Sequence, residues 1–135
     1  MSKLQSQSTS NTTSFVQKAS IAALTGSQTC VDEMRADYLK LRDQVLAGLK
    51  TIPGLTCTVP QGAFYVYPNV GAFIGKGGIK SASDLASKLL TEAHVVVVPG
   101  EAFGTSEHIR ISYAVSGDVV DKGVQRMRDF FGQLG

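Results

Sequence analysis

Residues 95–114 read VVVVPGEAFGTSEHIRISYA, and this stretch holds an apolar run, a turn and an alternating segment in succession. Val95 to Val98 suit a buried strand, and Pro99-Gly100 ends the run because proline has no N–H for a ladder and glycine bends freely. From His108 the pattern changes. Ile109, Ile111 and Tyr113 fall on one face of an extended chain, and His108, Arg110 and Ser112 fall on the other. Two short strands separated by the PGEAFG turn therefore predict a small sheet with one face turned to a core. Downstream, Val120, Val124, Met127, Phe131 and Leu134 share one helical face, with Ser116 or Asp118 near the start. Upstream, a helix carries Leu85, Leu89 and Leu90, with Ser81 or Ser83 as its cap.

Further out, Leu55, Cys57 and Val59 alternate with threonines, Pro60-Gln61-Gly62 interrupts, and AFYVY follows; this predicts two short strands joined by a tight turn. Before them Val31, Met34, Tyr38, Leu41, Val45, Leu49 and Ile52 recur at steps of three and four. That spacing places one apolar stripe along a long helix ended by Pro53-Gly54, with Asp32, Arg35 and Asp43 on its solvated side. Ser14 with Gln17 predicts a capping box for a shorter helix running to about Leu24, and Gly26 suits a left-handed position after it. The opening segment MSKLQSQSTSNTTS is nearly all hydroxyl and amide and offers no core of its own. The expected architecture is an α/β mixture of the α+β type. A small, mostly antiparallel sheet is covered by helices, with a long helix near the N-terminus.

At 135 residues, with 43% apolar and 18% charged residues, the chain has the composition of one globular domain. A net charge of +2 without a lysine/arginine run argues against a nucleic-acid partner. No apolar stretch is long enough to span a membrane, and no secretory signal is present, so a cytoplasmic protein is expected.

Candidate chemistry is sparse. GAFIGKGG resembles a phosphate loop only loosely. Gly71 and Gly75 enclose three residues where that loop needs four, and Lys76 is followed by glycine and not by serine or threonine, so a flexible surface loop is expected. His94 and His108 lack metal-ligand spacing, Cys30 and Cys57 have no companions for a zinc site, and no metal is expected; the two thiols are expected to be reduced and partly buried. No serine sits in a nucleophile elbow. Arg110 stands apart, because an arginine in the middle of a short strand projects a planar fork suited to gripping a carboxylate through two parallel hydrogen bonds. By spacing alone, a solvated or ion-paired arginine is the favoured reading.

The runs QSQSTSN, GAFYVYPN, VVVVPGEAFG and HIRISYA, in this order and spacing, resemble the C-terminal part of aspartate aminotransferases, pyridoxal-phosphate enzymes of the class I/II aminotransferase family. The resemblance spans almost the entire chain. It implies a polar interdomain and dimer-crossing segment at residues 1–14 and the small domain at 15–135, completed by a large cofactor domain upstream of residue 1. It further implies that Arg110 binds the substrate α-carboxylate, that Phe64 lies near the substrate side chain, and that Ser10 and Asn11 approach the active site of a partner subunit in a homodimer. Thr12 stands where relatives carry proline. The family's Schiff-base lysine, in a serine-lysine motif, has no match here: Lys3 leads into LQSQS and Lys88 lies on an amphipathic helix. No catalytic residue is therefore expected in this chain, and it is expected to be inactive and without bound pyridoxal phosphate by itself. A stand-alone carboxylate-binding regulatory module and a structural dimerisation domain are the alternatives.

Overall fold

The structure, a computed structural model, describes residues 3–4 and 11–134. The chain divides into two compact units, one reaching to Arg35 and one beginning at Ala36. Four helices and three strands can be named among the described residues: α1 (Ser14–Thr25), α2 (Thr29–Leu49), β1 (Tyr65–Val66), α3 (Ala82–Thr91), β2 (Val98–Pro99), β3 (Ile109–Ser112) and α4 (Gly117–Gly132). Short 3-10 turns occupy Gly71–Phe73 and Gly100–Phe103.

In the N-terminal unit, α1 begins differently from expectation. Thr13 holds the N-cap position without a side-chain cap, Ser14 is already helical, and the Gln17 amide donates to the Thr12 carbonyl at 2.7 Å. The helix ends at Gly26 with φ −78° and ψ −175°, extended and not left-handed. The Gln28 side chain substitutes for a left-handed cap by donating to the carbonyls of Ala23 and Gly26. No residue of α1 is buried, and Phe15, Ile21 and Leu24 are exposed. The first turns of α2 share this character, since Val31 and Met34 are exposed.

The second unit holds the core. The three strands form a sheet in the order β1-β3-β2 with both pairings antiparallel. Tyr65 pairs with Ser112 and Val66 with Ile111, while Val98 pairs with Arg110 and Pro99 with Ile109. A bridge between Asn69 and His108 continues the first register and places Tyr67 across from Arg110. Alternation then sorts the side chains as the sequence predicts. Val66, Val70, Ile109, Ile111 and Tyr113 are buried against helices, and Tyr65, Tyr67, His108 and Arg110 lie on the other face. Val45 and Leu49 from the end of α2, Ile52 just beyond it, and Val120, Val124, Met127, Phe130 and Phe131 from α4 complete that core, with the Phe73 and Phe131 rings 4.2 Å apart.

Two expected strands shrink. The 55–59 segment forms a single bridge, Thr56 to Asn69, because Val59 is 56% exposed and Pro60 cannot donate to a ladder. Of the valine run only Val98 is in a strand; Val95 donates instead to Leu89 at the end of α3, and Val96 is exposed. Leu90 is also exposed, so the buried face of α3 is Ala82, Leu85 and Leu89. The 71–78 loop is anchored and not free. Ile79 is fully buried, and Gly75 N–H donates to the Ile79 carbonyl at 2.7 Å.

Ser81 is the cap of α3. Its hydroxyl accepts from the Asp84 N–H at 3.1 Å, and the Asp84 carboxylate accepts from the Lys80 N–H at 3.0 Å. Ser81→Ala leaves the Asp84 N–H without its partner and is expected to lower stability by about 1 kcal/mol in denaturant titration.

Both cysteines are free, but only Cys57 is partly buried; Cys30 is exposed, contrary to expectation, because the start of α2 has no apolar cover in its unit. Burial pushes the Cys57 thiol up, against a smaller lowering from a backbone hydrogen bond of Tyr67. Iodoacetamide at neutral pH should therefore alkylate Cys30 well before Cys57, because the thiolate is the reacting form and access is unequal. Peptide mass mapping over a time course reads the order, and equal rates would mean that Cys57 is not held in the core.

Candidate functional site

The outer face of the sheet collects the aromatic and polar residues that alternation turns away from the core. Arg110 projects from the centre of β3, the middle strand, so its backbone is held on both sides. The guanidinium carbon lies 5.5 Å from the centre of the Tyr65 ring and 4.8 Å from that of Phe103. Both distances are within the range of cation–π attraction. Among the described residues no carboxylate stands within ion-pair distance of Arg110, and its N–H groups make no hydrogen bond to protein. The two acidic residues of the adjoining loop are directed elsewhere: Glu101 accepts from the Ser83 N–H, and Glu107 lies beside Gly71. A half-buried arginine within cation–π range of two rings, with no protein hydrogen bond among the described residues, can receive one carboxylate in the plane of its fork.

Phe64 sits at the entrance to β1 and is 53% exposed. Ala63 before it adopts φ +63°, in the left-handed region. The turn is fastened to the end of β3. The Tyr113 hydroxyl donates to the Ala63 carbonyl at 3.0 Å, and the Tyr113 N–H donates to the Phe64 carbonyl at 2.9 Å. Burial raises the Tyr113 phenol above its ordinary range, outweighing the lowering by Arg42, so it stays a donor at neutral pH. The Phe64 ring meets Tyr65 edge-on at 6.4 Å and Tyr38 at 6.3 Å. The structure thus links Phe64 to Arg110 through Tyr65. Asn11 is exposed ahead of α1 in the N-terminal unit, and Ser10 lies outside the described residues.

Sequence reading missed the group behind Arg110. The Tyr67 ring stacks on His108 at 5.0 Å and 10°, and Phe103 meets Tyr67 edge-on at 6.0 Å. The Tyr67 hydroxyl bonds the Thr105 hydroxyl at 2.5 Å and donates to the Gly100 carbonyl at 3.4 Å. Alternation in FYVYPN could have placed Tyr65 and Tyr67 on the face of Arg110. No periodic signal marks Phe103, because it comes from a turn.

The same geometry tests what the chain could hold. A phosphate cradle needs outward N–H groups. In the 71–78 loop the Gly71 and Gly75 N–H groups donate to Asn69 and Ile79, and the Ile79 N–H just after the loop donates to Lys76. Lys88 is paired with Glu92 along α3 at 3.1 Å, and Lys76 lies over the Phe73 ring. Among the described residues, Arg110 offers a carboxylate a guanidinium with no protein hydrogen bond or ion pair. His94 and His108 belong to no group of potential metal ligands among the described residues. Two cavities, of about 510 and 370 Å³, lie beside α2 and beside α4, and neither is lined by Arg110. No helix among the described residues is long and apolar enough to cross a membrane.

Comparison with known proteins gives one consistent family. The family model for class I and II aminotransferases matches residues 1–127. An aspartate aminotransferase of Geobacillus stearothermophilus is 41% identical over 130 residues, covering 96% of this chain and 33% of that protein. The crystal structure of the aspartate aminotransferase from Rhizobium meliloti superposes with a TM-score of 0.90 at 40% identity, over 98% of this chain and 34% of that one. The aspartate aminotransferase from Thermus thermophilus with maleate superposes with a TM-score of 0.81 at 35% identity, over 94% of this chain and 32% of that one. The chain spans about a third of the length of the relatives it matches.

Proposed function

The chain belongs to the class I and II aminotransferase family, and from that premise we propose that it forms the small domain of a cytoplasmic, aspartate-type aminotransferase in which Arg110 binds the α-carboxylate of the amino-acid substrate. The observation that carries this reading is the state of Arg110: held at mid-strand, within cation–π range of two rings, and without a protein hydrogen bond or ion pair among the described residues. Two parallel N–H···O bonds from one guanidinium would fix both the position and the rotation of the carboxylate, and with it the direction of the Cα–H bond. Arg110 positions and transfers no proton, since its guanidinium stays charged. Phe64, at the edge of the same face, would border the substrate side chain.

Pyridoxal phosphate, when bound to the complete enzyme, supplies the electron sink for the Cα–H cleavage. Its holding residues are assigned to a cofactor domain, because the family's serine-lysine motif has no match in these 135 residues. The exposed apolar residues Phe15, Ile21, Leu24, Val31 and Met34 support a surface that the rest of the enzyme covers. Residues 1–14 are assigned to the segment that crosses to a partner subunit in a homodimer, with Ser10 and Asn11 as its polar groups; residues 15–135 are the small domain.

The test is a comparison of the chain alone with the chain joined to an aminotransferase cofactor domain. Mixed with pyridoxal phosphate, the chain alone should give no stoichiometric lysine adduct trappable by borohydride. It should also give no turnover of aspartate with 2-oxoglutarate, whereas the joined protein turns over. Turnover by the chain alone, or none by the joined and folded protein, would sink the reading.

A further inference from the structure

Nothing in the hydrogen bonding of Arg110 explains why its fork should keep one orientation. The side chain has no ion pair and no hydrogen bond among the described residues, and a free arginine samples many rotamers. What it does have is a ring on each of two neighbours, Tyr65 from β1 and Phe103 from the 100–103 turn. A guanidinium is planar and weakly hydrated on its faces, and the Tyr65 and Phe103 rings lie 5.5 and 4.8 Å from its central carbon, close enough to favour one plane over others. We propose that Tyr65 and Phe103 are positioning residues that fix the plane of the Arg110 guanidinium. The proposal rests on the reading of Arg110 as the carboxylate group and adds what orients it.

The two rings are themselves held unequally. Tyr65 sits in a strand. Phe103 depends on its turn, which closes at Gly104 with φ +82° and is buttressed by Tyr67. Tyr67 in turn is fixed by its stack on His108 and by its hydroxyl contacts with Thr105 and Gly100. The orientation of the arginine is therefore inherited from the PGEAFG turn. Phe103 is 48% exposed and Tyr65 40% exposed, so either can be shortened without opening the core.

The experiment uses the full 135-residue chain with labelled arginine, observed by NMR. Arg110 signals are assigned by their loss in Arg110→Lys, and melting temperature controls for folding. In the wild type, ring currents should move the Arg110 side-chain protons upfield of those of the other four arginines. Phe103→Leu and Tyr65→Leu should each return them toward the unstacked position, and Phe103→Tyr should preserve the shift. Signals that do not move in either leucine variant overturn the proposal. Titration with maleate then separates the proposal from the reading it rests on. Binding that weakens about three- to tenfold in Phe103→Leu, and recovers in Phe103→Tyr, supports it. Equal maleate affinity in Phe103→Leu and wild type, with loss in Arg110→Lys, overturns the positioning role and leaves the carboxylate reading standing. Maleate that binds wild type and Arg110→Lys alike removes the carboxylate reading, while the ring-current shifts still decide whether the rings hold the arginine.

Discussion

Arg110→Lys, in the enzyme completed by a cofactor domain, is expected to lower kcat/KM by about ten- to a hundredfold while the fold survives. Lysine keeps the charge but replaces a planar fork by a point charge on a flexible stem. Two parallel bonds to a carboxylate become one adjustable contact. A charge-assisted hydrogen bond contributes about 1.5–3 kcal/mol, which sets the size of the effect. Both kcat and KM should suffer, because one contact binds the substrate and also aligns its Cα–H bond. Folding should be nearly untouched: Arg110 has no ion pair among the described residues to lose, and the core face of β3 is Ile109 and Ile111. Steady-state kinetics with aspartate, with melting temperature alongside, decide it. Wild-type kcat/KM in the lysine variant would make Arg110 a surface charge.

The reason Arg110 could be found in the sequence is local. In β3 each residue's face follows from the one before, and two flanking strands enforce the alternation, so Ile109, Ile111 and Tyr113 turn inward and Arg110 outward. The same logic located the buried face of α4, where Val120, Val124, Met127 and Phe131 are buried as the period requires; Phe130 was missed because it packs from the flank of that stripe. Periodicity misleads where cover is absent. The stripe of α2 is buried at Val45 and Leu49 and exposed at Val31 and Met34, although the spacing is uniform, because spacing states which residues can be covered together and says nothing of what covers them. Leu55, Cys57 and Val59 alternate like a strand yet form one bridge, since a strand also needs a neighbour with free ladder groups.

Phe103 marks a different limit. Its contact with Arg110 is made across a turn whose shape depends on Gly100, Thr105 and Tyr67, three residues with no common period. Only the folded chain brings them together, so the orienting part of the site was not legible even though the oriented residue was.

Gly100→Ala should test that dependence and cause the largest loss of stability of any single methyl added here. Gly100 is buried where the turn leaves β2; its N–H donates to the His108 carbonyl at 2.8 Å, and its carbonyl accepts from the Thr105 N–H at 3.1 Å. A Cβ at Gly100 would lie 2.5 Å from the His108 carbonyl oxygen, 2.6 Å from the Thr105 carbonyl oxygen and 2.7 Å from the Thr105 hydroxyl. Two of these three atoms are backbone, so no rotamer change relieves the contact and the turn itself must shift. Overpacking of this kind costs about 3 kcal/mol, which for a domain of this size lowers Tm by roughly 10 °C. Gly123→Ala supplies the opposing control, because the new methyl meets nothing within 4 Å on α4. There the gain in helix propensity should stabilise by about 0.5–1 kcal/mol. Calorimetry on the two variants reads the contrast. Because Phe103 lies three residues beyond Gly100 on the displaced turn, Gly100→Ala should also loosen the stack on Arg110 in the fraction that stays folded. Equal and small effects at Gly100 and Gly123 would mean that the turn is plastic, and that it cannot be what orients the arginine.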